Sequence, residues 1–275
     1  MSANRSNTAA ADLPSALRIN ALRTGLALGI AAALLAFAVR ATEAQQNAIL
    51  AASEPPRAAV PFVVGEELVY GAKFGILPAG TARMRVEGID TIRGRSAYHV
   101  VFALEGGIPL FRVQDKYESW IDVQTLSSLR YRVAISEGRY HRNTTYEFFP
   151  ELAQYQKNDE APEPSVSNPL DDGSFIYAVR VTGVRVGDTI RNERYFQPNK
   201  NPVVLTGLRE DTVTVGAGTF ATTVVRPTIK TTGIFSENGD AQVWFTNDSR
   251  RIPVLVKSHF SRFSITLSLQ SITTP

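Results

Sequence analysis

From about residue 60 onward the chain alternates apolar and polar residues with a period of two, and this most limits what it can fold into. Ala82, Met84 and Val86 alternate with Arg83, Arg85 and Glu87. Leu129, Tyr131, Val133 and Ile135 alternate with Arg130, Arg132 and Ala134, and Phe263, Ile265, Leu267 and Leu269 with Ser264, Thr266, Ser268 and Gln270. Successive strand side chains point to opposite faces, so the pattern predicts antiparallel strands with one face in a core and one in water. Ala97 to Leu104 is apolar on both faces apart from His99, which suits a more buried strand. The segments are rich in Tyr, Val, Ile and Thr, residues that fit a pleated, half-buried surface.

The punctuation agrees with an all-β reading. Glu137-Gly138, Gly216-Ala217-Gly218, Asn238-Gly239 and Asn247-Asp248-Ser249 predict turns. The glycines of Gly71 to Gly80 predict a bulge or turn, since no helix and no Gly-Lys-Ser/Thr ending follows them. Residues 151–168 break the pattern with KNDEAPEPSVSNP and predict a long connection or ragged edge strand, the best place for a boundary between two β portions. One helix is expected after it, capped by Asp171 or Asp172, with Phe175, Ile176 and Val179 on one side.

The first 44 residues read as a targeting segment. Arg18 and Arg23 precede an uncharged run of 15 residues, Gly25 to Val39, and Thr42-Glu43-Ala44 places small residues where a signal peptidase reads them. The run is short for a bilayer span, which needs ~20 apolar residues; an uncleaved anchor facing the periplasm is the alternative. Residues 45–60 read as an Ala- and Pro-bearing tether, and 61–275 as a single β domain. The segment carries four arginines against two carboxylates, so +2 of the chain's +3 belongs to targeting and +1 remains. A basic patch for nucleic acid is therefore not expected. With no cysteine, disulfides, thiol chemistry and an acylated N-terminal cysteine are excluded.

No catalytic or metal set stands out, and no cofactor is expected. There is no Gly-x-Ser-x-Gly elbow, and His99, His141 and His259 show no metal-ligand spacing. The densest polar-aromatic segment runs from Asp115 to Asp122. On a strand, Asp115, Tyr117, Ser119 and Ile121 share one face and Lys116, Glu118, Trp120 and Asp122 the other. Glu118 and Asp122 would stand ~13 Å apart at ~3.3 Å per residue, beyond the ~5–9.5 Å of paired glycosidase carboxylates. Pairing of these carboxylates with cross-strand Arg130 or Arg132 is the expectation.

Four segments in order carry a resemblance: Gly65-Glu66-x-x-x-Tyr70 with Gly75-x-x-x-Ala79-Gly80, then Asp115-x-Tyr117-Glu118-Ser119-x-x-Asp122, then Gly218-Thr219-Phe220, then Val243-Trp244-Phe245-Thr246-x-Asp248-x-x-Arg251-x-Pro253-Val254. Together they resemble the DUF3108 family of exported bacterial proteins over most of residues 61–269; Asp171-Asp172-Gly173-Ser174 departs from the family's more usual Asp-Pro-Leu-Ser. The resemblance implies an exported periplasmic protein with an antiparallel curved sheet or incomplete β-barrel, and supplies no catalytic residues. The surface cluster drawn from these motifs is Asp115, Tyr117, Glu118, Trp120, Asp122, Trp244, Asp248 and Arg251. Three functions compete: non-enzymatic binding of an amphipathic lipid or glycan, a polysaccharide-acting enzyme using Asp115, Glu118 and Asp248, and a partner-binding β module.

Overall fold

The computed structural model describes residues 58–108, 111–230, 240–260 and 263–275. The expected targeting segment, most of the expected tether and the expected Asn238-Gly239 turn lie outside them. The chain is already docked at Ala58, whose N–H donates to the Val123 carbonyl at 2.8 Å, and Val60 packs on the core.

Among the described residues fourteen strands form one sheet. They are β1 (Glu67–Phe74), β2 (Leu77–Ile92), β3 (Arg95–Ile108), β4 (Phe111–Asp122), β5 (Ser128–Glu137), β6 (Tyr140–Phe149), β7 (Gln154–Lys157), β8 (Glu163–Pro164), β9 (Thr189–Asn192), β10 (Val203–Val215), β11 (Gly218–Thr228), β12 (Gln242–Thr246), β13 (Pro253–Phe260) and β14 (Phe263–Thr273). Their order is β8-β7-β6-β5-β4-β3-β2-β1-β14-β13-β12-β11-β10-β9. Among the described residues the fold is the expected all-β curved sheet with one α-helix. The segment that broke the alternation holds the short edge strands β7 and β8, and the two meanders on either side of it join through β1 and β14, where Tyr70 faces Leu269.

The sheet edges, β8 and β9, lie in mid-chain. The segments following them are tied by a parallel bridge: the Leu170 N–H donates to the Arg194 carbonyl at 2.6 Å and the Phe196 N–H to the Leu170 carbonyl at 3.0 Å. Free strand edges invite pairing with other chains; here short strands and this bridge leave little edge to offer.

The helix α1 (Asp172–Thr182) lies inside the curve. Phe175 and Val179 join a core with Tyr131, Phe148, Tyr195, Phe196 and Val225, while Tyr177 joins a second with Tyr70, Val86, Val100, Ile121 and Ile252. Its N-terminus reaches Ser119 of β4 and Ser128 of β5, and its C-terminus reaches Glu66 before β1 and the β12–β13 turn. The helix therefore forms a floor across one end. The β1–β2, β3–β4 and β5–β6 hairpin tips stand at the other end, which is a mouth.

Local sequence explains the floor. Asp171 is the N-cap: Oδ1 accepts from the Gly173 and Ser174 N–H groups, both at 2.8 Å, and the Ser174 hydroxyl accepts from the Asp171 N–H at 2.9 Å, a reciprocal capping box. At the C-terminus the Arg251 guanidinium donates to the Arg180 and Val181 carbonyls, the favoured place for a cation. Arg180 is fully buried and bidentate on Glu66, with Nη1–Oε1 2.6 Å and Nη2–Oε2 3.0 Å. Its remaining donors go to the Pro61 and Arg250 carbonyls, each at 3.2 Å.

Near the mouth, Gly80 faces Gly106 across β2 and β3. A Cβ on Gly106 would lie 1.9 Å from the Ala79 carbonyl oxygen, so the two backbones approach there as only glycine permits.

Candidate functional site

Two features meet on the inner side of the sheet: a polar cluster at the N-terminus of α1 and an apolar wall above it. Asp171 is buried, and besides the two N–H groups its Oδ1 accepts the Ser119 hydroxyl at 2.6 Å. Its Oδ2 is buried without a hydrogen-bond partner among the described residues. Burial pushes the carboxyl up to about 6 despite the hydrogen bonds from Ser119, Ser128 and Ser174.

That shift makes a stability prediction. The folded protein holds this proton more tightly than the unfolded chain, whose Asp titrates near 3.8. The resulting contribution is complete below about pH 4 and is lost as pH rises through about 6, roughly 3 kcal/mol in all. Urea unfolding of the protein between pH 4 and 7 should carry this downward slope, and Asp171→Asn, which keeps the Oδ1 cap, should flatten it.

Asp172 behaves differently. It is exposed to solvent, yet protein around it pushes its carboxyl up, against the Tyr195 hydrogen bond, the Lys200 charge, the Tyr131 hydrogen bond and the Arg142 charge. Access to water together with desolvation means that the carboxylate sits in a recess. The Tyr195 hydroxyl donates to Oδ1 at 2.8 Å. Burial raises the phenols of Tyr131, Tyr195 and Tyr146, and pushes Tyr117 up to about 12, so these hydroxyls are donors at neutral pH. The recess thus combines aromatic faces, hydroxyl donors, one carboxylate and one guanidinium.

Above the floor, the inner face continues through Phe102, Leu104, Tyr117, Ile135, Val256 and Leu267. The register puts Phe102 opposite Tyr117, with ring centroids 5.9 Å apart, and Val256 opposite Leu267. All are inward by alternation and all are half-buried, unlike Val86, Val100 and Ile121 lower down, which are buried. Inward side chains that keep solvent access line a hollow. The floor adds Ile176, also half-buried, which packs on both cores.

The residues singled out in the sequence are distributed among several structural tasks. Asp115 faces inward, buried, and accepts the Ser136 N–H at 3.1 Å; its charge, after burial, also raises Glu137. Tyr117 is on the inner wall. Glu118 and Trp120 face outward in one network. Glu118 meets Lys116 at 2.8 Å and His99 Nε2 at 3.2 Å, His99 stacks on Trp120 with centroids 4.3 Å apart, and Trp120 Nε1 donates to Asp90 at 2.7 Å.

The expected pairing of Glu118 with Arg130 or Arg132 is corrected. Arg132 is in register with Glu118, but its guanidinium lies over the Trp120 ring, 5.3 Å from the centroid, and Arg130 pairs with Glu147 of β6. Lys116, two residues along the same face, takes the carboxylate instead.

Asp122 is buried, binds Arg95 at 2.9 Å and accepts the Gln124 and Thr125 N–H groups of the turn after β4. Trp244 is buried, donates to Asp211 at 2.9 Å and is flanked by Arg209 and Lys257. Asp248 sits in the β12–β13 turn. Burial would raise its carboxyl, but hydrogen bonds from Thr246 at 2.6 Å and Arg250 at 2.9 Å outweigh it and hold it low. Arg251 caps α1. Asp115, Glu118 and Asp248 are thus not brought together: one faces inward, one outward, and one lies at the floor end. Among the described residues no group of His, Cys, Asp and Glu could hold a metal.

The residues that do converge, Asp172, Tyr131, Tyr146, Tyr195 and Arg142, were not singled out by motif. A signal existed: Asp172 follows an aspartate that already serves as cap, and Tyr131 and Tyr146 take the inward places of their strands' alternation.

The described residues define a class: an open, curved antiparallel sheet with a helix on its inner side. The chain belongs to the DUF3108 family, described as protein of unknown function, which matches residues 69–269. No curated protein matches the chain. Among solved structures, a β-barrel-like protein of domain of unknown function DUF1849 from Brucella abortus is similar at TM-score 0.48 and 9% identity, over 79% of this chain and 100% of that one. One from Parabacteroides distasonis, described as "a putative lipoprotein", is similar at TM-score 0.37 and 11% identity, over 79% and 100%.

Proposed function

We propose that this is an exported, non-enzymatic envelope protein that holds an amphipathic molecule, a lipid or glycolipid, in its cup. The apolar portion would lie along Phe102, Leu104, Ile135 and Leu267, and the polar head would meet the hydroxyls of the Asp172 recess. The observation that carries this reading is the wall itself: its inward apolar side chains are half-buried while those beside the floor are buried. Water against so much inward apolar surface is costly, at roughly 25 cal/mol per Å2, and a bound chain removes that cost. Export is supported by the apolar run Gly25 to Val39 and the small residues at Thr42 and Ala44. Among the described residues no helix is long and apolar enough to cross a membrane.

The protein, purified without detergent from the exported fraction, should yield a stoichiometric lipid on organic extraction and mass spectrometry, and should bind a fluorescent fatty-acid analogue. Leu267→Arg should weaken that binding by more than about tenfold, since Leu267 faces Ala72 and Val256 across the sheet and a guanidinium in so apolar a place costs several kcal/mol. The fold should keep its melting temperature, because Leu267 is half-buried. Absence of both lipid and probe binding would sink the proposal. N-terminal sequencing of the exported protein tests the cleavage after Ala44.

A further inference from the structure

The three hairpin tips on the β1-to-β6 side of the mouth carry a second pattern, one that holds whether or not the cup is filled. Ile76 is 91% exposed, Leu77 54%, Phe111 45% and Tyr140 53%. All lie at these tips: Ile76 in the turn between β1 and β2, and Leu77, Phe111 and Tyr140 as the first residues of β2, β4 and β6. The last two tips touch. The Gly138 N–H donates to the Arg112 carbonyl at 2.8 Å, and the Phe111 ring lies 3.1 Å from where a Cβ on Gly138 would be.

The same tips are cationic. Lys73, Arg112 and Arg139 are exposed there, against the carboxylates Glu105 and Glu137. Lys73, Arg112 and Arg139 make no ion pair among the described residues. The floor end also exposes apolar side chains, Val63 at 48%, Val64 at 40% and Leu152 at 62%, but its cations Arg93 and Arg95 are already engaged by Glu147 and Asp122. Unpaired surface cations fringing apolar tips leave both groups without a partner inside the protein.

We propose that these three tips dock the mouth on an anionic lipid bilayer. Apolar side chains on separate tips at one level can each enter the headgroup region, and cations with long aliphatic stems lie at the interface beside them. Tyr140 suits that level through its apolar ring and polar hydroxyl. Anionic lipid supplies the charge that Lys73, Arg112 and Arg139 lack. A groove for a peptide or partner helix would need continuous apolar surface, and separate tips do not provide it. Docked in this way, the mouth would open directly toward lipid.

The native chain has no cysteine, so one introduced thiol labels a single site. An environment-sensitive fluorophore placed on full-length Ile76→Cys should shift to the blue on adding vesicles of phosphatidylglycerol and phosphatidylcholine, and should be quenched by a lipid-borne quencher. Vesicles of phosphatidylcholine alone should produce neither change. The same label on Gln124→Cys, exposed at the floor end, should not respond, which separates tip docking from any binding by the N-terminal segment. Arg112→Glu with Arg139→Glu should weaken the Ile76 response roughly thirtyfold or more. No response at Ile76, an equal response at Gln124, or equal responses to both vesicle types would overturn the proposal. So would a blue shift without vesicles that grows with protein concentration, because the occupant would then be a second copy of the chain. Failure here would leave lipid extraction and fatty-acid binding by the cup unaffected, so the two proposals fail separately.

Discussion

Arg180→Met is expected to destabilise the protein by about 3–5 kcal/mol, and Glu66→Gln by a similar amount. Each leaves a formal charge or its hydrogen-bonding groups in a site with no water to replace the lost partner. Arg180 exposes 0% of its surface and Glu66 4%, so neither side chain can turn outward to be solvated. The pair also ties α1 to the segment before β1, two places far apart in the chain. Combining the two substitutions should cost much less than their sum, because the isolated charge disappears. It should not be neutral: the Pro61 and Arg250 carbonyls lose the Arg180 donors that satisfy them, and each unsatisfied buried acceptor costs about 1–3 kcal/mol. Urea denaturation of the four proteins gives the cycle directly. Single variants within about 1 kcal/mol of wild type would mean that the guanidinium is hydrated rather than buried.

Phe148→Ala should be as damaging, at about 3–5 kcal/mol. Its ring is fully buried on β6 and meets Phe196 edge-on, with centroids 5.4 Å apart. Phe196 belongs to the segment after β9, at the far edge of the sheet, and also packs edge-on against Tyr155 of β7 at 5.1 Å. Removing the Phe148 ring therefore leaves a cavity where the two edges are brought together. Beyond the loss in stability, hydrogen exchange should quicken at the Leu170 and Phe196 amides, whose bonds form the bridge. A variant that loses stability while those two amides stay as protected as the core strands would contradict this account of the seam.

Much of the sheet is legible in the sequence because the information is local. The alternation at residues 82–86 and 129–135 states which side chains face inward, and the Glu137-Gly138 turn closes its hairpin where the residue types require. The helix start is legible for the same reason, since a cap needs only Asp171 and Ser174. What could not be read is everything that depends on which strands become neighbours. Arg180 looks like an ordinary solvent-facing helix residue until Glu66 is placed against it. Tyr131 and Tyr195 become partners of Asp172 only after the sheet curves and its edges approach. The opposite faces of Asp115 and Glu118 follow from the pleat alone, but that Glu118 pairs with Lys116 and His99 and not with Arg130 or Arg132 does not. Motif-bearing residues such as Asp122, Asp248 and Arg251 turned out to hold turns and a helix end.

The β1–β14 pairing has a consequence for how the molecule is assembled. Every other neighbouring pair of strands from β1 to β7, and from β10 to β14, is a hairpin or a close successor in the chain, so each meander can zip up locally as it emerges. The pair that joins them needs residues 67–74 and 265–273, almost the whole domain apart. Closing so long a loop is slow and is entered late. A chain delivered N-terminus first therefore waits, with one edge of β1 unpaired, until its last strand arrives. That interval is when the protein is most open to mispairing and proteolysis, and loss of only the final dozen residues would leave both halves formed but unable to close on one another.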